Sequence, residues 1–143
     1  MGQRSIIDVT VSGSTTMTYF QRELERIRAE VYANDWQIRN IIETRRFLLE
    51  NFDRSISLDD ISHARFTSKF HLLRLFKRYY GQTPSQFVTE LRIAKAKELL
   101  RSGRSVTETC FEIGFESPAS FSNLFRTRVG LAPKNFQKMS NIR

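Results

Sequence analysis

The chain has 143 residues, a formal charge of +8, 40% hydrophobic residues and one cysteine, Cys110. That length suits one domain, or two small units sharing a core. A lone cysteine excludes an internal disulfide, and no apolar run approaches the roughly 18 residues needed to span a bilayer.

The N-terminal residues 1–14 are short, mixed and Gly/Ser-bearing. "SIIDVTV" has strand composition but no partner strand, so an extended or disordered arm is expected. A helix should start at Thr15 or Thr18, with Phe20, Leu24, Ile27 and Val31 on one narrow stripe. "YAND" (Tyr32–Asp35) is expected to break it, with Asn34 or Asp35 capping the next helix. That helix carries Trp36, Ile38, Ile41, Ile42, Leu48, Leu49 and Phe52 on a wider stripe, through about Asn51. "SLDDISHA" reads as a short helix with Ser57 as N-cap and Asp60 three residues on. A second helix within "FTSKFHLLRLFKRYYGQTP" stops at Gly81, and Pro84 opens a long one to about Ser102. Its buried side should hold Phe87, Val88, Leu91, Ala94, Leu99 and Leu100. Then come a short helix over Ser105–Ile113, a turn over Gly114–Glu116, a helix over Ser117–Val129 ended by Gly130, and a last short helix opened by Pro133. The fold class is all-α, with about seven helices, including an extra N-terminal one.

An internal repeat organises the second half. At an offset of 49, Ser68, Leu75, Phe76, Gly81, Pro84 and Phe87 return as Ser117, Leu124, Phe125, Gly130, Pro133 and Phe136. Upstream of the turn the offset is 48, pairing Ser57 with Ser105. Two copies are too few for a solenoid. They suit two modules joined by a helix. The division is residues 1–35 as arm and extra helix, 36–83 as the first unit, 84–102 as the linker helix and 103–143 as the second unit.

Each copy is a short helix, a tight turn and a longer helix, the arrangement in which the second helix enters a DNA major groove. Charge agrees. Residues 1–56 hold eight Lys/Arg and eight Asp/Glu, whereas residues 57–143 hold fifteen and seven, so the whole surplus lies with the repeat. In the first copy Leu72, Leu75, Phe76 and Tyr79 should face inward. Lys69, Phe70, Leu73, Arg74 and Lys77 remain outside. Arg74 can fork onto guanine, Phe70 and Leu73 can press on thymine methyls, and Lys69 and Lys77 suit phosphates. In the second copy Phe121, Leu124 and Phe125 face inward, leaving Pro118, Ala119, Ser120, Ser122, Asn123 and Arg126. Asn123 can fork onto adenine, and serine can pair with several bases. This second face carries less charge and should discriminate less.

Other chemistry has no residues to carry it. His63 and His71 lie at no metal-ligand spacing. The sequence has no Gly-rich phosphate loop, Ser elbow or paired carboxylates in an apolar setting. No enzyme activity, cofactor or metal is expected. Cys110 reads as a small buried side chain.

These pieces together resemble the DNA-binding domain of the AraC/XylS family of transcriptional regulators, from roughly Ile38 to Met139. The resemblance rests on "SKFHLLRLFKRYYGQTP", "RIAKAKELLRSGRSVTETCFEIGFES" and "FSNLFRTRVGLAPKNF". It implies seven helices, with two helix-turn-helix units bridged by a long helix and binding two successive major-groove segments. It implies base contacts from Phe70, Leu73 and Arg74 and from Pro118, Ala119 and Asn123. The family usually has Gly where Phe66 stands, so the first turn is expected to differ in shape. Either the short chain is similar to the stand-alone activators of the family, or its sensor is on another chain. The expected protein is a cytoplasmic, sequence-specific regulator of double-stranded DNA, an activator working with RNA polymerase, without membrane attachment. A homodimer through the N-terminal helix is an open alternative to that helix covering the first unit. The competing reading is a nonspecific basic module that binds DNA or protein without sequence readout.

Overall fold

A computed structural model describes residues 18–66 and 68–142. Seven α-helices run in chain order: α1 Tyr19–Asn51, α2 Leu58–Arg65, α3 Lys69–Tyr80, α4 Pro84–Arg101, α5 Val106–Glu112, α6 Pro118–Val129 and α7 Pro133–Ser140. There is no strand among the described residues. The expected N-terminal arm lies outside them. The chain divides into two compact units, Met1–Gln37 and Ile38–Arg143.

In the first unit, α1 does not break at Tyr32–Asp35. Asn and Asp are only a few tenths of a kcal/mol less helix-favouring than average, about 0.7 at most against Ala, and no Gly or Pro interrupts the stretch. The helix therefore runs on as one piece. Its start is fixed by Thr18 and Gln21. The Thr18 hydroxyl accepts from the Gln21 N–H (3.3 Å), and the Gln21 side chain accepts from the Thr18 N–H (3.0 Å). Phe20, Leu24, Ile27, Val31 and Trp36 are all exposed.

The second unit holds two cores. One gathers Ile41 and Leu48 of α1 with Phe66, Leu72, Leu75, Phe76 and Phe87. The other gathers Ile93, Ala96, Leu99 and Leu100 of α4 with Cys110, Ile113, Phe121 and Phe125. Only Ile41, Thr44 and Leu48 of α1 are buried, at i, i+3 and i+7. Ile38, Ile42 and Leu49, expected on a wider stripe, are exposed on its flanks. The same pattern recurs 52 residues later, where Ile93, Ala96 and Leu100 back the second core. Ala94, expected inside, is exposed because α4 turns Ile93 and Ala96 inward instead. Thus α4 belongs to both cores. Phe87, Val88 and Leu91 pack on the first, and Ile93 onward on the second.

Capping sets the phase of the repeat. Ser57 accepts from the Asp60 N–H at 3.2 Å. Ser105 and Glu108 form a reciprocal capping box, as do Thr83 and Gln86. Gln137 of α7 donates to the carbonyls of Leu100 (2.9 Å) and Arg104 (2.7 Å), satisfying acceptors left open at the end of α4. Cys110 is fully buried, and burial pushes its thiol pKa up.

Candidate nucleic-acid interface

The helices α3 and α6 are equal in length and begin 49 residues apart. Each is N-capped by serine. Ser68 accepts from the His71 N–H at 3.1 Å and Ser117 from the Ser120 N–H at 3.4 Å. Each ends on a left-handed glycine, Gly81 at φ +73 and Gly130 at φ +89. The glycine N–H returns to the carbonyl of Lys77 or Arg126, at 2.8 Å in both copies. A residue with a Cβ is strained at such φ, so glycine stops each helix at the same length.

Behind α3 lie Leu72, Leu75 and Phe76. Tyr79, expected with them, is exposed. Tyr80 takes the inner place, its ring 4.9 Å from Phe76 with the Arg45 guanidinium 5.5 Å over it. On the outer face Phe70, Leu73, Arg74 and Lys77 follow the i, i+3, i+4, i+7 row. Arg74 and Lys77 are exposed and Leu73 is half-buried. Phe70 is 76% exposed, far more than a packing role would leave. Lys69 is exposed and sits 3.7 Å from the Asp59 carboxylate of α2.

Behind α6 lie Phe121 and Phe125, with Leu124 partly buried against them. Phe121 packs between Phe115 (5.5 Å) and Phe125 (5.7 Å) in tilted and edge-on contacts, and Phe125 meets Phe136 at 5.4 Å. The outer row equivalent to Phe70, Leu73, Arg74 and Lys77 is Ala119, Ser122, Asn123 and Arg126. Pro118, Ala119, Ser120, Asn123 and Arg126 are all exposed. Among the described residues, the side chains of Arg74, Lys77, Asn123 and Arg126 have no ion-pair or hydrogen-bond partner, so they are free for a ligand.

The turns differ, as expected from Phe66. Phe66 ends α2 in an extended conformation (φ −133) and is buried in the first core. The second turn instead uses Gly114 at φ +88 before the equivalent Phe115. Two neighbours of this face are not visible in the sequence. Asp59 is ten positions from Lys69, across a turn, and no periodicity pairs them. Arg45 is one cation among several on α1, and only the fold places it over Tyr80 and Phe87. Among the described residues no cluster of His, Cys, Asp and Glu could hold a metal, and no helix is long and apolar enough to cross a membrane.

The family model "Helix-turn-helix domain" matches residues 61–139, more than half of the chain. The transcriptional activator RhaS of Escherichia fergusonii is 34% identical over 93 residues, covering 64% of this chain and 34% of that protein. The solved AraC-type transcriptional regulator from Chromobacterium violaceum is 29% identical, with a TM-score of 0.62, covering 72% of this chain and 93% of that one. The chain belongs to the AraC-type helix-turn-helix family. AraC-type proteins are DNA-binding transcriptional regulators and not enzymes. Their fold is also that of the DNA-binding domain of AdpA in complex with a target DNA, at 24% identity and a TM-score of 0.64, covering 69% of this chain and 90% of that one. The chain spans about half, or less, of the length of the curated AraC-type relatives it matches.

Proposed function

We propose that the chain is a sequence-specific activator of transcription in the cytoplasm that reads two successive major-groove segments through α3 and α6. The observation that carries this reading is the duplicated outer row. Two helices of equal length and identical capping each present four side chains that the core does not use. In the first row Phe70 and Leu73 meet thymine methyls, Arg74 forks onto guanine, and Lys69 and Lys77 hold phosphates. In the second row Asn123 forks onto adenine, Ser120 adds a hydroxyl, Pro118 and Ala119 give close apolar contact, and Arg126 supplies the only cation among them. Most discrimination then comes from α3. RNA polymerase is the protein partner of such an activator.

In-vitro selection of bound duplexes tests this. A two-part consensus is expected, and a return of no consensus leaves only a nonspecific basic module. Arg74→Ala should cost about 1–3 kcal/mol and blur one position of the consensus. The exposed stripe Phe20, Leu24, Ile27 and Val31 supports a homodimer as a further part of the proposal. Sedimentation of the full chain against a version starting at Asn34 checks it, and equal monomer masses would remove the dimer.

A further inference from the structure

The helix α4 crosses from one core to the other between Leu91 and Ile93, and Arg92 stands at the crossing. Its Nε donates to the Phe52 carbonyl at 2.6 Å, and its Nη2 donates to the Arg54 carbonyl at 2.9 Å. Both acceptors lie in the turn that leaves α1, where helix carbonyls lack partners of their own. The Cζ of the same guanidinium lies 5.4 Å over the Phe115 ring. Phe115 sits in the turn before α6 and packs on Phe121, which is part of α6.

One side chain therefore touches the turn that leaves α1, beside the first core, and the turn before α6, beside the second core. The two turns also meet directly. A Cβ on Gly114 would lie 2.7 Å from the Asp53 carbonyl oxygen and 3.1 Å from the Arg92 Nη2. No side chain fits there, so backbone rests on backbone. The position in α1 that matches Arg92 under the 52-residue correspondence is Asn40. Asn40 donates to the Arg65 carbonyl at 3.2 Å and stays beside the first core. Only the copy in α4 bridges the two.

We propose that Arg92, seated against Gly114, is the positioning residue that fixes the spacing and rotational phase of the two recognition helices. The proposal rests on the two-segment DNA reading above. Arginine suits the task because its fork engages two carbonyls while its charge lies over a ring, and lysine has no such fork. Half-burial lowers the pKa of the guanidinium, and the Asp53 carboxylate opposes that shift. The group stays charged throughout, as arginine does in proteins.

The test is a spacer series on the duplex selected by the unaltered chain, with one or two base pairs added or removed between the two segments. Each added pair turns the second segment by about 34° and moves it about 3.4 Å. The unaltered chain should lose about tenfold or more in affinity at one added pair, because one helix can no longer reach its bases. Arg92→Ala, Arg92→Lys and Gly114→Ala should each flatten that profile to within about threefold. A residue that merely stabilised the fold would weaken binding equally at every spacing. A second measurement needs no DNA. Spin labels at His63→Cys and Thr107→Cys, both exposed, with Cys110 buried and unreactive, should give a narrow distance distribution. Arg92→Lys and Gly114→Ala should broaden or shift it. Unchanged distances together with an unchanged spacing profile would overturn the proposal. If the unaltered chain selected no DNA at all, the functional reading would fall, while the label distances would still decide the role of Arg92.

Discussion

Asp59→Asn should make the chain bind its DNA more tightly. The Lys69 ammonium lies 3.7 Å from the Asp59 carboxylate, with the two side chains 46% and 65% exposed. At that separation the attraction is about 1 kcal/mol in water-like surroundings, and measured exposed pairs fall between about 0.2 and 1 kcal/mol. Under the proposed reading, Lys69 gives up this partner to reach a phosphate. The free protein therefore holds back up to about 1 kcal/mol, or about fivefold in affinity, that Asp59→Asn releases. The substitution also removes a negative charge from beside the DNA. Its cost falls on the fold, because Asp59 is one of two acids in the first turn of α2 and such a charge contributes about 0.3–1 kcal/mol there. Fluorescence anisotropy with a labelled duplex should show about a two- to fivefold gain at low salt. The gain should shrink as the Debye length drops below about 10 Å near 0.1 M salt. In a Lys69→Ala background it should shrink to the smaller part that comes from removing a negative charge beside the DNA. Weaker binding by Asp59→Asn, or an equal gain with and without Lys69, would refute the reasoning.

Phe76→Ala and Phe125→Ala each empty the centre of one core, both side chains being fully buried, and each should cost about 3–5 kcal/mol in urea unfolding. Ser68→Ala and Ser117→Ala remove the N-caps of α3 and α6 and should cost about 0.5–2 kcal/mol apiece. Thermal melts should place the larger loss at Ser68, whose bond of 3.1 Å is shorter than the 3.4 Å bond of Ser117. Folding raises the Cys110 thiol pKa, so in alkali the unfolded chain ionises first. That part of the stability is complete below the ordinary thiol range and fades as pH climbs through it. Urea melts at neutral and alkaline pH should show the decline, and Cys110→Ala should reduce it.

The helices of the second unit were legible because their ends carry explicit chemistry. Ser57, Ser68, Ser105 and Ser117 cap, Gly81 and Gly130 stop, and Pro84 and Pro133 open. The spacing of 49 residues carried the equality of α3 and α6. What failed were inferences from apolar count alone. Trp36, Ile42 and Leu49 lie beside a core-facing row, but only Ile41, Thr44 and Leu48 meet the core. Tyr79 and Tyr80 both satisfy helical spacing from Phe76, and it is Tyr80 that lies under Arg45, a residue distant in sequence. The break expected at "YAND" weighed local capping preference above the tolerance of a long helix for one Asn and one Asp. Arg92 looked like any other cation of a basic helix. Its partners lie about forty residues before it and about twenty after, beyond the reach of any periodic pattern.

Because α4 serves both cores at once, its length works as a gear between them. Adding one residue within it would turn everything downstream by about 100° and advance it by about 1.5 Å. Ile93, Ala96 and Leu100 would then be rotated relative to the first core, and the outer row of α6 would turn with them. An insertion of a whole number of turns would nearly restore the rotation but not the advance. Under the two-segment reading, an insertion in this segment should therefore disturb DNA binding more than a substitution on its exposed face.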